Sequence, residues 1–379
     1  MEPVRIGIIG CGNVLSQYLD KAAIHPEFTV VACADINQSV AQTQAEHYRI
    51  PKALDPAGLI GDPDIEVVVN FTPPAVHAEV TLDAIGAGKH VFTEKPFATT
   101  LKLADEIVNA AKAANVSVAC APATFLGGGM QTSRKLIDDG WIGKPVAATA
   151  SFTCRGYEHW HPNIDPFYSP GAGPMLDIGP YLITNLINFF GPASRVSASA
   201  QRSSDTRPRP NAGPDDRDIE IAVPTHIAGT VDFASGAVAT VITSWDMWNA
   251  SLPYIEIYGT KGTLSTPNPD LYTGMPELRR GDPKDLSEEW YPPHGGDWRD
   301  VPMTHRGDAG RAIGLADMAD ALRTGRPIRT GAEFAYHALE VMLAFEESSN
   351  RGEHVQIEST CERPTPMAPV GVDEPFRFD

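Results

Sequence analysis

Lys95 is the residue whose setting most invites chemistry. The run Lys89-His90-Val91-Phe92-Thr93 alternates and is apolar, follows Gly86-Ala87-Gly88, and stops at Glu94-Lys95-Pro96. It reads as a short buried strand. Pro96 has no N–H to continue a ladder and favours an extended residue before it, so a lysine stands at the mouth of a strand. In an open parallel sheet, ligands bind beyond the carboxyl ends of the strands. The competing reading of Lys95 is a surface ion pair with Glu94.

Gly10-Cys11-Gly12-Asn13-Val14-Leu15 follows the apolar Ile6-Gly7-Ile8-Ile9 and opens a helical pattern that runs through Ala23. Gly10 permits a tight turn, Gly12 lets the backbone approach a pyrophosphate, and a helix N-terminus supplies N–H groups. Leu15 stands where a third glycine is usual. A second apolar run, Phe28 to Ala34, ends at Asp35, 25 residues beyond Gly10. A carboxylate there accepts both hydroxyls of an adenosine ribose and repels a 2′-phosphate, which favours NAD over NADP. Asp35 also reads as the N-cap of a helix beginning near Gln38, and the two roles are compatible.

Stepping outward, Val67 to Phe71 is another strand pattern, stopped by Thr72-Pro73-Pro74 before a helix containing His77. Strand ends at Asp35, Thr72, Glu94 and Ala121 alternate with helix patterns near 38–48, 76–86 and 100–114. That order implies a doubly wound parallel sheet. The 379 residues, 42% hydrophobic and 21% charged, suit a two-domain enzyme. A net charge of −18 argues against nucleic acid or an anionic membrane as a partner. The start carries no signal-peptide pattern and no apolar run is long enough to span a bilayer. Five scattered cysteines without C-x-x-C spacing suit a reducing cytoplasm and offer no metal or disulfide framework.

These motifs resemble the Gfo/Idh/MocA oxidoreductases: Gly10-Cys11-Gly12-Asn13, Asp35, Thr72-Pro73 with His77, and Glu94-Lys95-Pro96. The similarity continues through Leu136 to Pro145, Gly171 to Gly179 and Gly259-Thr260-Lys261-Gly262. The resemblance implies an N-terminal NAD-binding Rossmann domain over 1–122. It also implies a substrate-binding and oligomerisation α+β domain with an open, mainly antiparallel sheet over 123–362. An extended arm over 363–379 follows. The cofactor-binding set it implies is Gly10, Gly12, Asn13, Val14, Asp35, Thr72, Pro73, His77, Glu94 and Lys95. Lys95 would lie beside the nicotinamide and the reacting hydroxyl, and a homodimer or homotetramer would form through the C-terminal sheet.

In the second half, Phe125 to Gly140 reads as a helix and Val146 to Cys154 as a strand. Gly156 to Pro174 is aromatic and rich in Pro and Gly, the character of a functional loop. Its His159, Trp160 and His161 suit contact with a sugar ring. His159 and His161 completed by Glu158 or Asp165 match no specific metal signature, so no metal is expected. Asp177 to Phe190 reads as one helix, with Asp177 and Tyr181 four apart on one face. Here the chain departs from the family pattern Asp-x-Gly-x-His, because Tyr181 replaces the acid/base histidine. Tyrosine ionises near pH 10 and histidine near 6.5, so Tyr181 needs a cation, which Lys95 would provide, while Asp177 orients the lysine or the substrate. His161 or His159 is the alternative imidazole.

Ile219 to Phe233 and Ala237 to Trp245 read as a hairpin, followed by a strand at Tyr254 to Tyr258. Residues 202–217 and 267–300 read as loops, and Asp308 to Arg323 and Ala332 to Ser349 as helices. Trp290, Trp298, His294, His305, Arg311 and Asp317 are candidates for the edge of the site, with structural roles as the competing reading. The expected activity is NAD-dependent hydride transfer to or from a secondary carbinol carbon of a cyclic sugar, glycoside or inositol. The alternatives are redox-neutral glycoside elimination or hydrolysis through a transient keto intermediate, and a non-catalytic NAD- or sugar-binding protein.

Overall fold

The computed structural model describes residues 1–161, 163–210, 213, 217–281 and 296–370. The chain forms two compact units, Met1–Ala123 with Ala309–Glu340, and Thr124–Asp308 with Val341–Asp379.

In the first unit the described strands are β1 (Val4–Ile9), β2 (Phe28–Ala34), β3 (Lys52–Leu54), β4 (Val67–Asn70), β5 (His90–Thr93) and β6 (Val118–Cys120). All pair in parallel, in the order β3-β2-β1-β4-β5-β6. That is the Rossmann order, with its reversal between β1 and β4. Helices α1 (Asn13–Leu19), α2 (Gln38–Tyr48), α3 (Pro56–Gly61), α4 (His77–Gly86) and α5 (Leu101–Ala114) alternate with the strands. The core joins Ile6, Ile8, Val67, Val69 and Phe92 to Leu15 and Tyr18, and to Leu315 and Met318 of the returning segment. That segment is tied to the sheet by Cys120 N–H donating to Thr330 O.

The strand-helix alternation expected from the sequence is present, with two differences. The first helix ends at Leu19, and β3 and α3 add an edge the sequence reading lacked. Their signal was Asp55-Pro56: Asp55 caps α3 by accepting from Gly58 N–H, and Pro56 occupies the first turn.

The second unit holds β7 (Pro145–Thr153), β8 (Ala193–Gln201), β9 (Thr206–Arg207), β10 (Ile219–Glu220), β11 (His226–Phe233) and β12 (Val238–Ser244). It continues with β13 (Ile255–Gly259), β14 (Gly262–Ser265), β15 (Glu277–Arg280), β16 (Arg299–Asp300) and β17 (Val355–Gln356). Its large sheet runs β16-β15-β14-β13-β7-β12-β11-β8-β17, antiparallel except at β12–β7. The mainly antiparallel sheet is therefore as expected. The long first arm of the hairpin is not: Ile219–Glu220 leaves the sheet to pair with β9, and β11 begins only at His226. Pro224 lies in the gap, where it has no N–H to give a ladder. Three segments of the expected loops are short strands, β9, β15 and β16.

Helices α6 (Gly128–Asp138), α7 (Pro174–Asp177) and α8 (Gly179–Phe190) lie in this unit. The single helix expected over 177–190 is broken at Ile178, which ends α7 and precedes α8. Pro180 explains the break, since its ring displaces the hydrogen bond to residue 176. Asp177 and Tyr181 are therefore not one turn apart on a continuous helix.

Candidate functional site

The carboxyl edge of the first unit is assembled by the main chain. Gly10 N–H donates to Ala34 O (2.8 Å), Phe71 N–H to Ile9 O (2.8 Å), Glu94 N–H to Asn70 O (2.9 Å) and Ala121 N–H to Thr93 O (2.9 Å). Each bond extends a strand pairing by one residue and fixes the loop that follows. Gly10 has φ +99°, and a Cβ there would fall 2.7 Å from both the carbonyl carbon and oxygen of Phe71. Only glycine fits. Gly12 is different: it is exposed, a Cβ would meet nothing within 4 Å, and its φ is −79°. The chain's own packing does not require glycine there, whereas a ligand lying against the backbone would. Asn13 is also exposed and Val14 half-buried.

Asp35 accepts Cys11 N–H on one carboxylate oxygen and Asn37 N–H on the other, both at 2.9 Å. The helix cap is Asn37, which takes Ser39 N–H, so the capping role considered for Asp35 falls to its neighbour. Two backbone bonds hold the carboxylate at the tip of β2 and leave each oxygen a lone pair to accept more.

Asn70, fully buried, organises the next loop. Its side-chain oxygen accepts Thr72 N–H (3.1 Å) and the Thr72 hydroxyl (2.6 Å), and its amide donates to His77 O and Thr81 Oγ1. Pro73 is exposed. His77 is only 1% exposed, with Nε2 2.6 Å from Thr72 O and Nδ1 3.1 Å from Pro96 O. Burial lowers its pKa against the opposing pull of those two carbonyls. A neutral ring has one N–H, so one contact at a time is a hydrogen bond. His77 thus spans the Thr72 and Pro96 loops rather than facing solvent.

Glu94 is also turned inward. Its carboxylate accepts the Tyr18 hydroxyl (2.6 Å) and Lys95 N–H (3.0 Å), and the Lys95–Pro96 bond is cis. Lys95 is half-buried.

In the second unit, Tyr157 to His161 form a tight turn in which Tyr157 O accepts Trp160 N–H (3.1 Å) and His161 N–H (2.9 Å). His159 and Trp160 are exposed; His161 stacks edge-on against Phe167 at 4.6 Å and accepts Asn163 N–H. Beneath the turn lies Arg207, 4% exposed. Its guanidinium donates to Glu158 Oε1 (2.5 Å), Tyr168 Oη (2.9 Å), Arg155 O (3.2 Å), Trp245 O (3.0 Å) and Asp246 Oδ1 (2.5 Å). Glu158 pairs with Arg207 and Asp165 with Arg209, and among the described residues no group of three His, Cys, Asp or Glu side chains is placed to hold a metal ion. Asp177 ends α7 and is half-buried; Tyr181 opens α8 at 4% exposure, its ring 6.2 Å from Phe152. Burial first, then the negative charge of Asp177, pushes the Tyr157 phenol well above its ordinary range.

Comparison with known proteins matches residues 4–121 to the model of an oxidoreductase family with an NAD-binding Rossmann fold. Residues 130–265 match the GFO/IDH/MocA C-terminal domain. The chain belongs to the Gfo/Idh/MocA oxidoreductase family. An uncharacterized oxidoreductase of Schizosaccharomyces pombe is 28% identical over 53% of this chain and 56% of its own; the chain spans little more than half the length of that relative. Levoglucosan dehydrogenase of Pseudarthrobacter phenanthrenivorans is 27% identical over 70% of this chain and 73% of its own. Among solved structures, a levoglucosan dehydrogenase in complex with NADH and L-sorbose superposes with a TM-score of 0.79 over 95% of this chain and 100% of its own, at 22% identity, which shows the shared fold.

As a Gfo/Idh/MocA protein, the chain carries an NAD-binding Rossmann domain, and its residues fit that cofactor: a backbone bared at Gly12 and a fixed carboxylate at Asp35. Other sequence candidates have structural duties. Asp317 has a fully buried side chain and pairs with Arg326 and Arg329, and His305 is buried with Nε2 on Met367 O. Trp298 is 37% exposed, Arg311 precedes the helix Ile313–Thr324, and Trp290 and His294 lie outside the described residues. Sequence reasoning missed Asn70, Tyr18, Tyr157 and Arg207. A polar residue closing the apolar run Val67–Asn70 was a usable signal for Asn70; Arg207, in a stretch read as loop, carried none.

Proposed function

We propose that this protein is an NAD-dependent dehydrogenase of a secondary hydroxyl on a cyclic sugar, glycoside or inositol, with Lys95, Asp177 and Tyr181 as its catalytic residues. The observation that carries the reading is a half-buried lysine fixed on the same strand-end edge as the Gly10–Gly12 turn and Asp35. Levoglucosan dehydrogenase among the relatives supports a cyclic sugar as substrate.

NAD, when bound, supplies the hydride acceptor. As the carbinol C–H leaves as hydride, the O–H proton must leave as well, so that alcohol becomes ketone and one proton is released. Lys95 favours the phenolate form of Tyr181 and stabilises the negative charge that grows on the substrate oxygen, and that phenolate takes the proton to become the phenol. Asp177 accepts from a neighbouring substrate hydroxyl. Asp35 accepts the ribose hydroxyls and disfavours a 2′-phosphate.

The test is calorimetric titration with NADH and NADPH, followed by a panel of levoglucosan, glycosides and myo-inositol with NAD. Tight NADH binding, weak NADPH binding and NADH production from one panel member are expected. Consumption of a glycoside without NADH accumulation would point to the redox-neutral chemistry instead. Binding of neither nucleotide would overturn the reading.

A further inference from the structure

Lys95 is fixed by its main chain, and the group that fixes it is held in turn from a helix residue 76 positions earlier. The Glu94 carboxylate, 6% exposed, folds back so that Oε2 accepts the N–H of the next residue, Lys95, at 3.0 Å. Beyond Lys95, the Pro96 carbonyl faces His77 Nδ1 at 3.1 Å. The main chain is therefore gripped on both sides of the lysine. A glutamate side chain has several rotatable bonds, and holding this fold-back on one contact alone is entropically unfavourable. The second contact comes from Tyr18, whose hydroxyl donates to Glu94 Oε1 at 2.6 Å. Tyr18 is 2% exposed and lies in the last turn of α1, the helix that follows the Gly10–Gly12 turn. Its ring packs against Phe71 and Phe92 at centroid distances of 4.4 and 6.2 Å.

A phenylalanine would fill the same space, and an apolar side chain in place of Glu94 would leave no buried charge to satisfy. Replacing both partners of a buried polar pair by apolar groups is close to neutral for stability. The pair therefore needs a reason other than stability, and the backbone of Lys95 supplies one. We propose that Tyr18 is a positioning residue for hydride transfer: through Glu94, its hydroxyl holds the main chain of Lys95 in place relative to the Gly10–Gly12 turn. This rests on the functional reading above, in which Lys95 acts on the reacting oxygen. One short helix then sets both the turn beside the cofactor and the lysine beside the substrate.

The experiment sets Tyr18→Phe beside Lys95→Met and the double variant, on the full-length protein, with NAD and with levoglucosan and myo-inositol as probes. Tyr18→Phe should lower kcat about tenfold to a hundredfold, the scale of a small displacement of a catalytic group, while NADH affinity changes less than about twofold. In the Lys95→Met background the same substitution should cost less than about twofold, because the hydroxyl acts through that lysine. A near-normal kcat for Tyr18→Phe, or equal losses in both backgrounds, would overturn the proposal. Tyr18→Phe leaves the Glu94 carboxylate buried with one donor fewer. If that variant does not fold, Tyr18→Phe with Glu94→Met takes its place and should show the same loss. A second readout needs no turnover: in protein carrying 13Cε-lysine, the resonance absent from Lys95→Met should shift in Tyr18→Phe. If the wild type oxidises neither probe, the substrate reading is the one that fails, and a stationary Lys95 resonance would still overturn the positioning role.

Discussion

At the carboxyl edge of the first unit, main-chain bonds run from each strand end to the next: Gly10 to Ala34, Phe71 to Ile9, Glu94 to Asn70. In the aromatic segment of the second unit the same work falls to side chains, with Arg207 alone reaching Arg155, Glu158, Tyr168, Trp245 and Asp246. The first arrangement rests on groups that every residue has, to which Asp35, Asn70 and Glu94 add side-chain bonds. The second depends on one guanidinium and two carboxylates whose burial is tolerable only while they are paired.

The largest effect should come from Arg207→Met. It leaves Glu158 and Asp246 without their cation and should cost roughly 3–5 kcal/mol, read as a lower urea midpoint for the second unit. A loss under about 1 kcal/mol would mean that the loop is held by its aromatic contacts instead.

Two glycines sharpen the other side of the comparison. Gly10→Ala puts a Cβ against the Phe71 backbone at a positive φ, and should lower the melting temperature and abolish NADH binding together. Gly12→Ala meets no atom of the chain, so the melting temperature should hold while NADH affinity falls. Equal effects of the two on stability would break the assignment of Gly12 to the cofactor.

Asp35→Ala should weaken NADH by about tenfold to a hundredfold, the loss of hydrogen bonds to a charged acceptor, and narrow the gap to NADPH. Calorimetry on both nucleotides measures it.

The smallest effect is on acid stability. Burial alone would raise the Asp246 pKa, but hydrogen bonds from Ser203 and Thr225 and the charge of Arg207 outweigh it and hold the carboxyl below its ordinary value. The folded state therefore favours the ionised form more than the unfolded chain does. That contribution is complete above the unfolded pKa of about 3.9 and is lost as pH falls through the lower folded value. Asp246→Asn should flatten the acid limb of a stability–pH curve below about pH 4.

The same contrast explains what was legible in the sequence. Strand ends at Asp35, Thr72 and Lys95 were readable because apolar runs stop at Asp, Thr-Pro-Pro and Glu-Lys-Pro, and a parallel sheet aligns such ends. The backbone geometry follows from that pattern. The contacts of Arg207 with residues about 40 to 50 positions away follow from no local spacing, and the segment containing it reads as loop. The break at Ile178 was readable from Gly179-Pro180, but the apolar stripe over 182–189 outweighed it. His77 was placed among the cofactor residues by resemblance; its burial and its two carbonyl neighbours describe a residue that spans two loops of that edge.

The most direct measurement is the rate of NAD reduction by Lys95→Met beside the wild type on the same substrate, with NADH affinity measured on both. The expected rate is about a hundredfold to a thousandfold lower, with NADH affinity changed far less, because a cation opposite developing charge is lost while Gly10, Gly12 and Asp35 stay in place. A variant that retains a comparable rate would contradict it.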